Sequence, residues 1–473
     1  MNDKMGKYKY FLKNTFLLTI SNFSSKILVF LLVPIYTSTL STSEYGTYDL
    51  ISTTISLFLP IVTLNICEAV MRFLMDKNVN RKDVVSIGIR IILLALLFTG
   101  IVIVVNDFFP LWVEMSEYST YVYAFFATNL LYQFMIQMAK GLEDVKGVAI
   151  AGLLSTILTV VCNIWFLIGL NLHLKGFYLA YIIGQFVPFV FLFFKLNTFG
   201  YLKLRTDSKV QQIMLAYSVP LIFNSLGWWV NSVSDRYVVT WICGLSINGI
   251  YSVSYKIPSI LNTVQNIFNQ SWQISAIKEY DSDTAGRFYE NILYYLNALM
   301  VLICSILVIL SKFIASFLYS NDFFVAWKFV PFLLLSGVIN SAAGVIGPIL
   351  SAANNTKALG KSAIYGAGVN IVLNIIGVYL LGAQGAAIAT AVSSFVIFEC
   401  RKKAASGLLY SGRIKLIYFS WLILVVQSIV MIMFDTTIGY VVQAMLLVIF
   451  LVLYKKIIID LCKSIVRKIE TKR

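Results

Sequence analysis

Apolar runs follow one another through almost the whole chain. They lie at approximately 14–39, 47–75, 84–106, 117–139, 147–171, 175–198, 211–240, 249–277, 287–311, 325–352, 358–381, 384–402, 413–434 and 438–459. A helix needs about 20 apolar residues to cross a hydrocarbon layer roughly 30 Å thick. Nearly all of these runs reach that length. Inside the layer only helices and closed barrels satisfy their backbone groups, and runs this long predict helices. Charged residues make up 12% of the chain, too few to cover a water-facing surface, which carries about 25% in soluble proteins. The expectation is an all-α integral membrane protein of about fourteen transmembrane helices. Pro34, Pro60, Pro220, Pro258 and the Gly347-Pro348 pair fall within spans. They predict kinks rather than ends, because neighbouring helices re-satisfy the freed backbone groups.

The Lys and Arg residues test this map independently. With the N-terminus inside, 29 of the 37 fall in inner segments, and the outer loops hold only Lys175, Lys312 and Lys328. That is the positive-inside pattern. The net charge of +15 therefore faces the anionic cytoplasmic leaflet, and no nucleic acid is needed to explain it. The segment after the basic start "MNDKMGKYKYFLKN" is too long and too polar for a signal-peptide core, so it reads as an uncleaved first span.

Other chemistries find little support. Cys67, Cys162, Cys243, Cys304, Cys400 and Cys462 are scattered singly, without disulfide or metal spacing. The one histidine, His173, reads as an interfacial loop residue. "ALGKS" (358–362) imitates the end of a phosphate-binding loop, but Asn355 stands where the first Gly belongs and no strand precedes it. An integral glycan polymerase would need a long outer loop bearing Arg, His or acidic residues, and the outer loops are short. The chain reads as a non-enzyme without cofactor or metal.

The chain also echoes itself. "LSTSEYGTY" (40–48) opens the second span as "LSINGIY" (245–251) opens the eighth. "NIWFLIGLNLHLKGFYLAYIIGQF" (163–186) and "NIIGVYLLGAQGAAIATAVSSF" (374–395) share an Asn, a short loop and Gly-x-x-x-Ala entering the next span. Parallel duplication of six spans is a transporter architecture that places the substrate between the halves. The expected divisions are an N-lobe at 1–198, an interlobe linker at 199–210, a C-lobe at 211–403, and two further spans with a basic tail at 404–473.

"GIYSVSYKIPSILNTVQNIFNQSWQISAIKEY" (249–280), "GAGVNIVLNIIGVYLLGAQGAAIATAVSS" (366–394) and "SDRYVVTWICGLSINGIY" (234–251) resemble polysaccharide flippases of the Wzx type, in the MOP superfamily with the MATE exporters. The resemblance extends over the whole chain through length, span count and duplication. It implies a V-shaped pair of six-helix bundles in the bacterial inner membrane, with both termini cytoplasmic. The implied cargo is an undecaprenyl-diphosphate-linked oligosaccharide, carried from the inner to the outer leaflet for O-antigen, capsule or another surface glycan. The bilayer is a constant partner, and a glycan polymerase and chain-length regulator are implied beside it.

Charges deep in spans are the candidate machinery, because each costs roughly 2.5–3.5 kcal/mol to insert and is kept where it meets a cavity or a partner. They are Lys26, Glu68, Arg72, Arg90, Asp235, Arg236 and Lys256, with Asp49 nearer an outer end. Polar residues recur on one helical face in span one (Thr15, Thr19, Asn22, Lys26), span seven (Asn224, Trp228, Asn231, Asp235) and span eight (Asn262, Asn266, Asn269, Gln273). These stripes either line a wet lumen or bridge packed helices. Arg72 and Arg90 either contact substrate or snorkel to the headgroups. Glu68 is either a coupling-ion site or the partner of Arg72 one turn on. Asp235 and Arg236 are adjacent and point about 100° apart, so each meets something from another helix, and Lys256 lies at a depth suited to Asp235. Asp235 is a second candidate for a coupling ion. Five cations against three acids leave an excess of two, which suits a diphosphate. Trp228, Trp229, Tyr251, Tyr255 and Trp272 offer stacking faces for sugars or interfacial anchors. A cation-coupled exporter of the MATE class is the alternative, and it would favour acidic residues in its lumen.

The charge alternation generates a topology test. Reporter fusions are expected to place both termini and the loop around Arg205 in the cytoplasm, and the loop around Glu114 outside. Termini reported on opposite sides would remove the even span count.

Overall fold

The computed structural model describes residues 30–459 except 111, 281–283, 354, 411, 435 and 458. Among these residues the ordered elements are all helical. The chain divides into two compact units, Met1–Trp229 and Val230–Arg473. The division falls inside a long helix, beyond the 199–210 segment.

In the first unit α1 (Val33–Thr39) leads into α2 (Thr42–Val62) and α3 (Ile66–Leu74). The echo motif "LSTSEYGTY" is the start of α2. The Ser41 hydroxyl accepts from the Glu44 N–H at 3.2 Å, while the Glu44 carboxylate accepts from the Ser41 N–H at 2.8 Å. This reciprocal cap satisfies two otherwise orphaned donors. The expected single span 47–75 is in fact a bent pair, turned by 59° between α2 and α3. Pro60 lacks an N–H to extend the helical ladder. Leu64 and Asn65 then take left-handed backbone angles, φ 51° and 53°. The Asn65 N–H returns to the Pro60 carbonyl at 3.0 Å, and the Thr63 hydroxyl takes up the Leu59 carbonyl at 2.6 Å. The kink has become a break, stabilised locally.

α4 (Arg81–Phe108), α5 (Ser119–Gly141), α6 (Val145–Asn163) and α7 (His173–Lys195) complete most of the unit. A π-helical turn, Ile164–Gly169, ends α6. His173 lies exposed at the start of α7, its ring nitrogen 3.1 Å from the Thr39 carbonyl. Phe177 of α7 sits edge-on to Tyr36 and Tyr48, with centroids 4.6 and 4.4 Å away, and so ties α7 to α1 and α2. α8 (Ser208–Cys243) continues through Pro220, bends near Gly227 and carries the chain out of the first unit.

The second unit continues with α9 (Leu245–Ser254), α10 (Ser259–Lys278), α11 (Ala285–Leu318), α12 (Val330–Ala352), α13 (Thr356–Leu381), α14 (Ala383–Ala404), α15 (Ile414–Met433) and α16 (Thr437–Leu453). Here too a kink expectation is corrected. The span 249–277 is two helices, separated at Tyr255–Pro258. Pro258 again lacks the donor, and the Ser254 and Ser259 hydroxyls take up the Tyr251 and Lys256 carbonyls at 2.5 and 2.6 Å. By contrast α12 runs through Gly347 and Pro348 without ending.

α12 is buried along most of its length, and α13 and α14 pack on each other through glycine. A Cβ added at Gly385 would stand 2.0 Å from the Gly377 carbonyl oxygen. Without side chains at these positions the two backbones approach closely, the small-residue packing that membrane helices use in place of a hydrophobic drive. α15 and α16 are joined to α11 by a polar seam. Trp421 Nε1 donates to Asn297 Oδ1 at 2.9 Å, and Asn297 Nδ2 donates to Tyr454 Oη at 3.1 Å. Deeper along α15, Gln427 Nε2 donates to Ser305 Oγ at 2.9 Å, and Gln443 Nε2 donates to the Gln427 carbonyl at 2.8 Å.

Eight of the described helices are individually long and apolar enough to cross a membrane, and two bent pairs pass the same test. α16 is shorter, at 17 residues. The chain is a multi-pass membrane protein.

The glycine contact is directly testable. Gly385→Ala is expected to destabilise the second unit by about 1–3 kcal/mol through overpacking. A thermal-stability assay of the detergent-solubilised protein should show a lowered midpoint. Gly368→Ala is the control, since a Cβ there meets nothing within 4 Å, and it should leave the midpoint level or raise it.

Candidate substrate cavity and buried acidic cluster

The break between α2 and α3 opens onto a cavity of about 950 Å³ in the first unit. Thr63 and Asn65 of the break line it, together with Ser52 and Ser56 of α2 and Glu68 of α3. α5 contributes Asn129, Tyr132, Gln133 and Ile136, which recur every three or four residues on one helical face. Gln185 of α7 and the first half of α8, through Tyr217, Asn224 and Trp229, complete the wall. Trp229 Nε1 donates to the Thr53 carbonyl at 2.9 Å and ties α8 to α2.

Glu68 carries the cavity's one charge among the described lining residues. It sits in the first turn of α3, where the helix dipole favours a carboxylate. Gln137, one turn beyond Gln133 on α5, donates Nε2 to Glu68 Oε1 at 2.7 Å. Arg72, its expected partner, is exposed and forms no ion pair with it among the described residues.

The remaining candidates are distributed differently from the expected cationic lumen. Arg90 is committed elsewhere. Its guanidinium donates to the Thr206 hydroxyl at 3.0 Å and the Lys203 carbonyl at 3.2 Å, and also meets the Leu204 carbonyl. The same face of α4 holds that connection through Ser86, which accepts from the Lys203 N–H at 2.8 Å, and through the Asp83–Lys203 ion pair at 3.1 Å. Arg90 therefore secures a connection. The excess of two cations does not appear on the cavity wall among the described residues. Asn22 and Lys26 lie outside the described residues.

Asp235 resolves into a second cluster, in the second unit. It is 3% exposed. Its Oδ2 accepts from Tyr251 at 2.7 Å and Tyr255 at 2.5 Å, and its Oδ1 accepts from the Arg236 N–H at 3.0 Å. The tyrosines of α9 and the break after it thus take the place expected for Lys256, because a hydroxyl donor solvates a buried carboxylate without burying a second charge. Arg236 lies over the Tyr255 ring, 5.3 Å from its centroid. Lys256 is half-buried beside this break. Asn231 Nδ2 donates to the Ala363 carbonyl of α13 at 3.4 Å.

On α10 the expected stripe splits. Asn262 and Asn266 are exposed, whereas Asn269 is half-buried near Gly344 of α12. The face packed on α12 is set by Gln265, whose Nε2 donates to the Asn340 carbonyl at 3.4 Å, and by Trp272, whose Nε1 donates to the Val345 carbonyl at 2.8 Å.

Asn129, Tyr132, Gln133, Ile136 and Gln137 of α5 are not among the candidates that charge singles out, because this face carries none. Their one-face periodicity is the signal in the sequence that marks them.

Comparison with known proteins agrees with this architecture. Residues 11–273, more than half of the chain, match the family described as polysaccharide biosynthesis protein. No curated protein sequence matches. Among solved structures, the lipid II flippase MurJ in an inward closed conformation is similar at 16% identity and TM-score 0.70, over 94% of this chain and 100% of that one. An inward-facing multidrug resistance MATE family transporter of the MOP superfamily is similar at 13% identity and TM-score 0.67, over 82% of this chain and 98% of that one. An outward-facing transporter of that description gives 14% identity and TM-score 0.55, over 84% and 93%. At these identities the likeness speaks for the fold. The chain belongs to the polysaccharide biosynthesis protein family, and its fold is that of the MOP superfamily.

Proposed function

We propose that the protein is a flippase for lipid-linked oligosaccharide. It moves glycan repeat units on undecaprenyl diphosphate from the cytoplasmic to the outer leaflet of the bacterial inner membrane, for O-antigen, capsule or another surface polysaccharide. The observation that carries this reading is the lining of the first-unit cavity. Sugar hydroxyls donate and accept at once, and the side-chain amides of Asn129, Gln133 and Gln185 do the same. The aromatic faces of Tyr132, Tyr217 and Trp229 suit the apolar faces of sugar rings. A volume of about 950 Å³ lies near the top of the roughly 300–1,000 Å³ range of small-molecule sites. Family membership and the fold shared with a lipid II flippase support the same conclusion.

In this reading the glycan is carried by alternating access to the two leaflets. Lys26 and Asn22 on the first span, with Arg72, are the groups offered for the diphosphate. Asn231, Arg236, Lys256, Asn262, Asn266 and Asn269 are offered for the remainder of the substrate path. Glu68 and Asp235 are the carboxylates offered for a coupling ion. One observation favours a second reading, a MATE-like exporter of organic cations: the single charge on the described cavity wall is the acid Glu68.

Vesicles containing the full-length protein and a fluorescent undecaprenyl-diphosphate-linked disaccharide separate the two. Protein-dependent movement of the lipid to the far leaflet is expected, read as protection from a membrane-impermeant quencher. Tyr132→Ala and Asn129→Ala should each slow it roughly tenfold, the order expected for a lost buried hydrogen bond or stacking face. Lys26→Ala should abolish movement while the protein still inserts. A lipid that moves at the protein-free rate, with a cationic dye transported instead, would replace the flippase reading by the exporter.

A further inference from the structure

The cavity wall points to a rule of substrate choice, one that rests on the flippase reading. We infer that the first-unit cavity selects glycans by charge: the sugar beside Glu68 is neutral or carries a free amino group, and a carboxylated sugar is excluded there.

Among the described lining residues the polar groups are hydroxyls and amides, and Glu68 is the one that bears charge. Gln137 holds Glu68 Oε1 at 2.7 Å, while Oε2 has no hydrogen bond among the described residues. Gln137 therefore fixes the carboxylate in direction, and its second oxygen is unclaimed among the described residues. Apolar Ile55, Leu59, Ile136 and Leu221 share the wall with it. Low-polarity walls lengthen the reach of a charge, since its field is screened less than in bulk water.

A uronic acid placed against Glu68 sets two carboxylates in one weakly screened space, which disfavours both. A free amino sugar instead offers an ammonium that forms a charge-assisted hydrogen bond with the second oxygen. A neutral sugar meets the amide set at no electrostatic cost. The same repulsion acts on the lipid diphosphate, so the glycan end of the substrate, and not the diphosphate end, lies next to Glu68. The Arg90 guanidinium does not offset the acid, because it is spent on the 203–206 connection.

The test uses the full-length protein in nanodiscs and three undecaprenyl-diphosphate-linked disaccharides identical except at one sugar: N-acetylated, free amino, and hexuronic acid. At low ionic strength the uronic form is expected to bind roughly tenfold more weakly than the N-acetylated form, and the amino form more tightly. Added salt should narrow the spread. Two variants report the ratio between substrates, so that a general loss of affinity does not mimic the effect. Glu68→Gln should bring the uronic and N-acetylated affinities together. Gln133→Lys, which adds a cation to the same wall, should turn the preference toward the uronic form, a gain that misfolding cannot produce. Equal affinities for the three lipids in the unaltered protein would overturn the rule, as would a ratio that neither variant shifts. Failure of all three to bind would overturn the flippase reading itself, a distinct result.

Discussion

Hydrocarbon offers no hydrogen bonds. A backbone group left unpaired within it costs several kcal/mol, so a spanning chain is helical wherever it meets lipid. Departures from the helix then need a local account, and in this protein two of them coincide with the two polar clusters. The break after α2 is closed by the Thr63 hydroxyl and the Asn65 N–H, and both residues line the cavity. The break after α9 lies at Tyr255, whose hydroxyl serves Asp235. Proline initiates both. The irregular backbone is placed where polar groups already gather, so one cluster satisfies both backbone and side chains.

The two carboxylates illustrate different solutions to burial. Asp235 is enclosed and receives two phenolic hydroxyls and a backbone N–H, enough donors to replace water around the anion. Glu68 stands on a cavity wall with a single amide donor, at the start of a helix. The first arrangement surrounds the anion with donors from the protein itself, and the second leaves Glu68 facing the cavity. In the proposed reading Glu68 is therefore the carboxylate that meets the glycan.

Packing elsewhere follows from the absence of a hydrophobic drive between helices in lipid. Close approach at Gly377 and Gly385 supplies dispersion contact. The amide and hydroxyl seam of Asn297, Ser305, Gln427 and Tyr454 supplies direction, so that α15 and α16 join the unit in one register. Each donor in the seam has an acceptor on a different helix, and sliding any of the three would strand a polar group.

Much was legible in the residues alone. Fourteen apolar runs and the Lys/Arg alternation implied a multi-pass helical membrane protein, because apolar length and charge asymmetry are local properties read directly by the bilayer. Pro60 and Pro258 stood out for the same reason, since proline acts on backbone within a turn, although the residues implied kinks where the structure has breaks. What the residues could not reveal was which polar groups meet. Asp235 lies 16 and 20 residues from the tyrosines it binds, and Gln137 lies 69 from Glu68. Nor did charge counting foresee that Arg90 would serve a connection more than a hundred residues away. Periodicity shows that a helix has a polar face but is silent on what that face turns toward. That choice is made only when helices pack, because the energy of a buried polar group depends on its partner and not on its position in the chain.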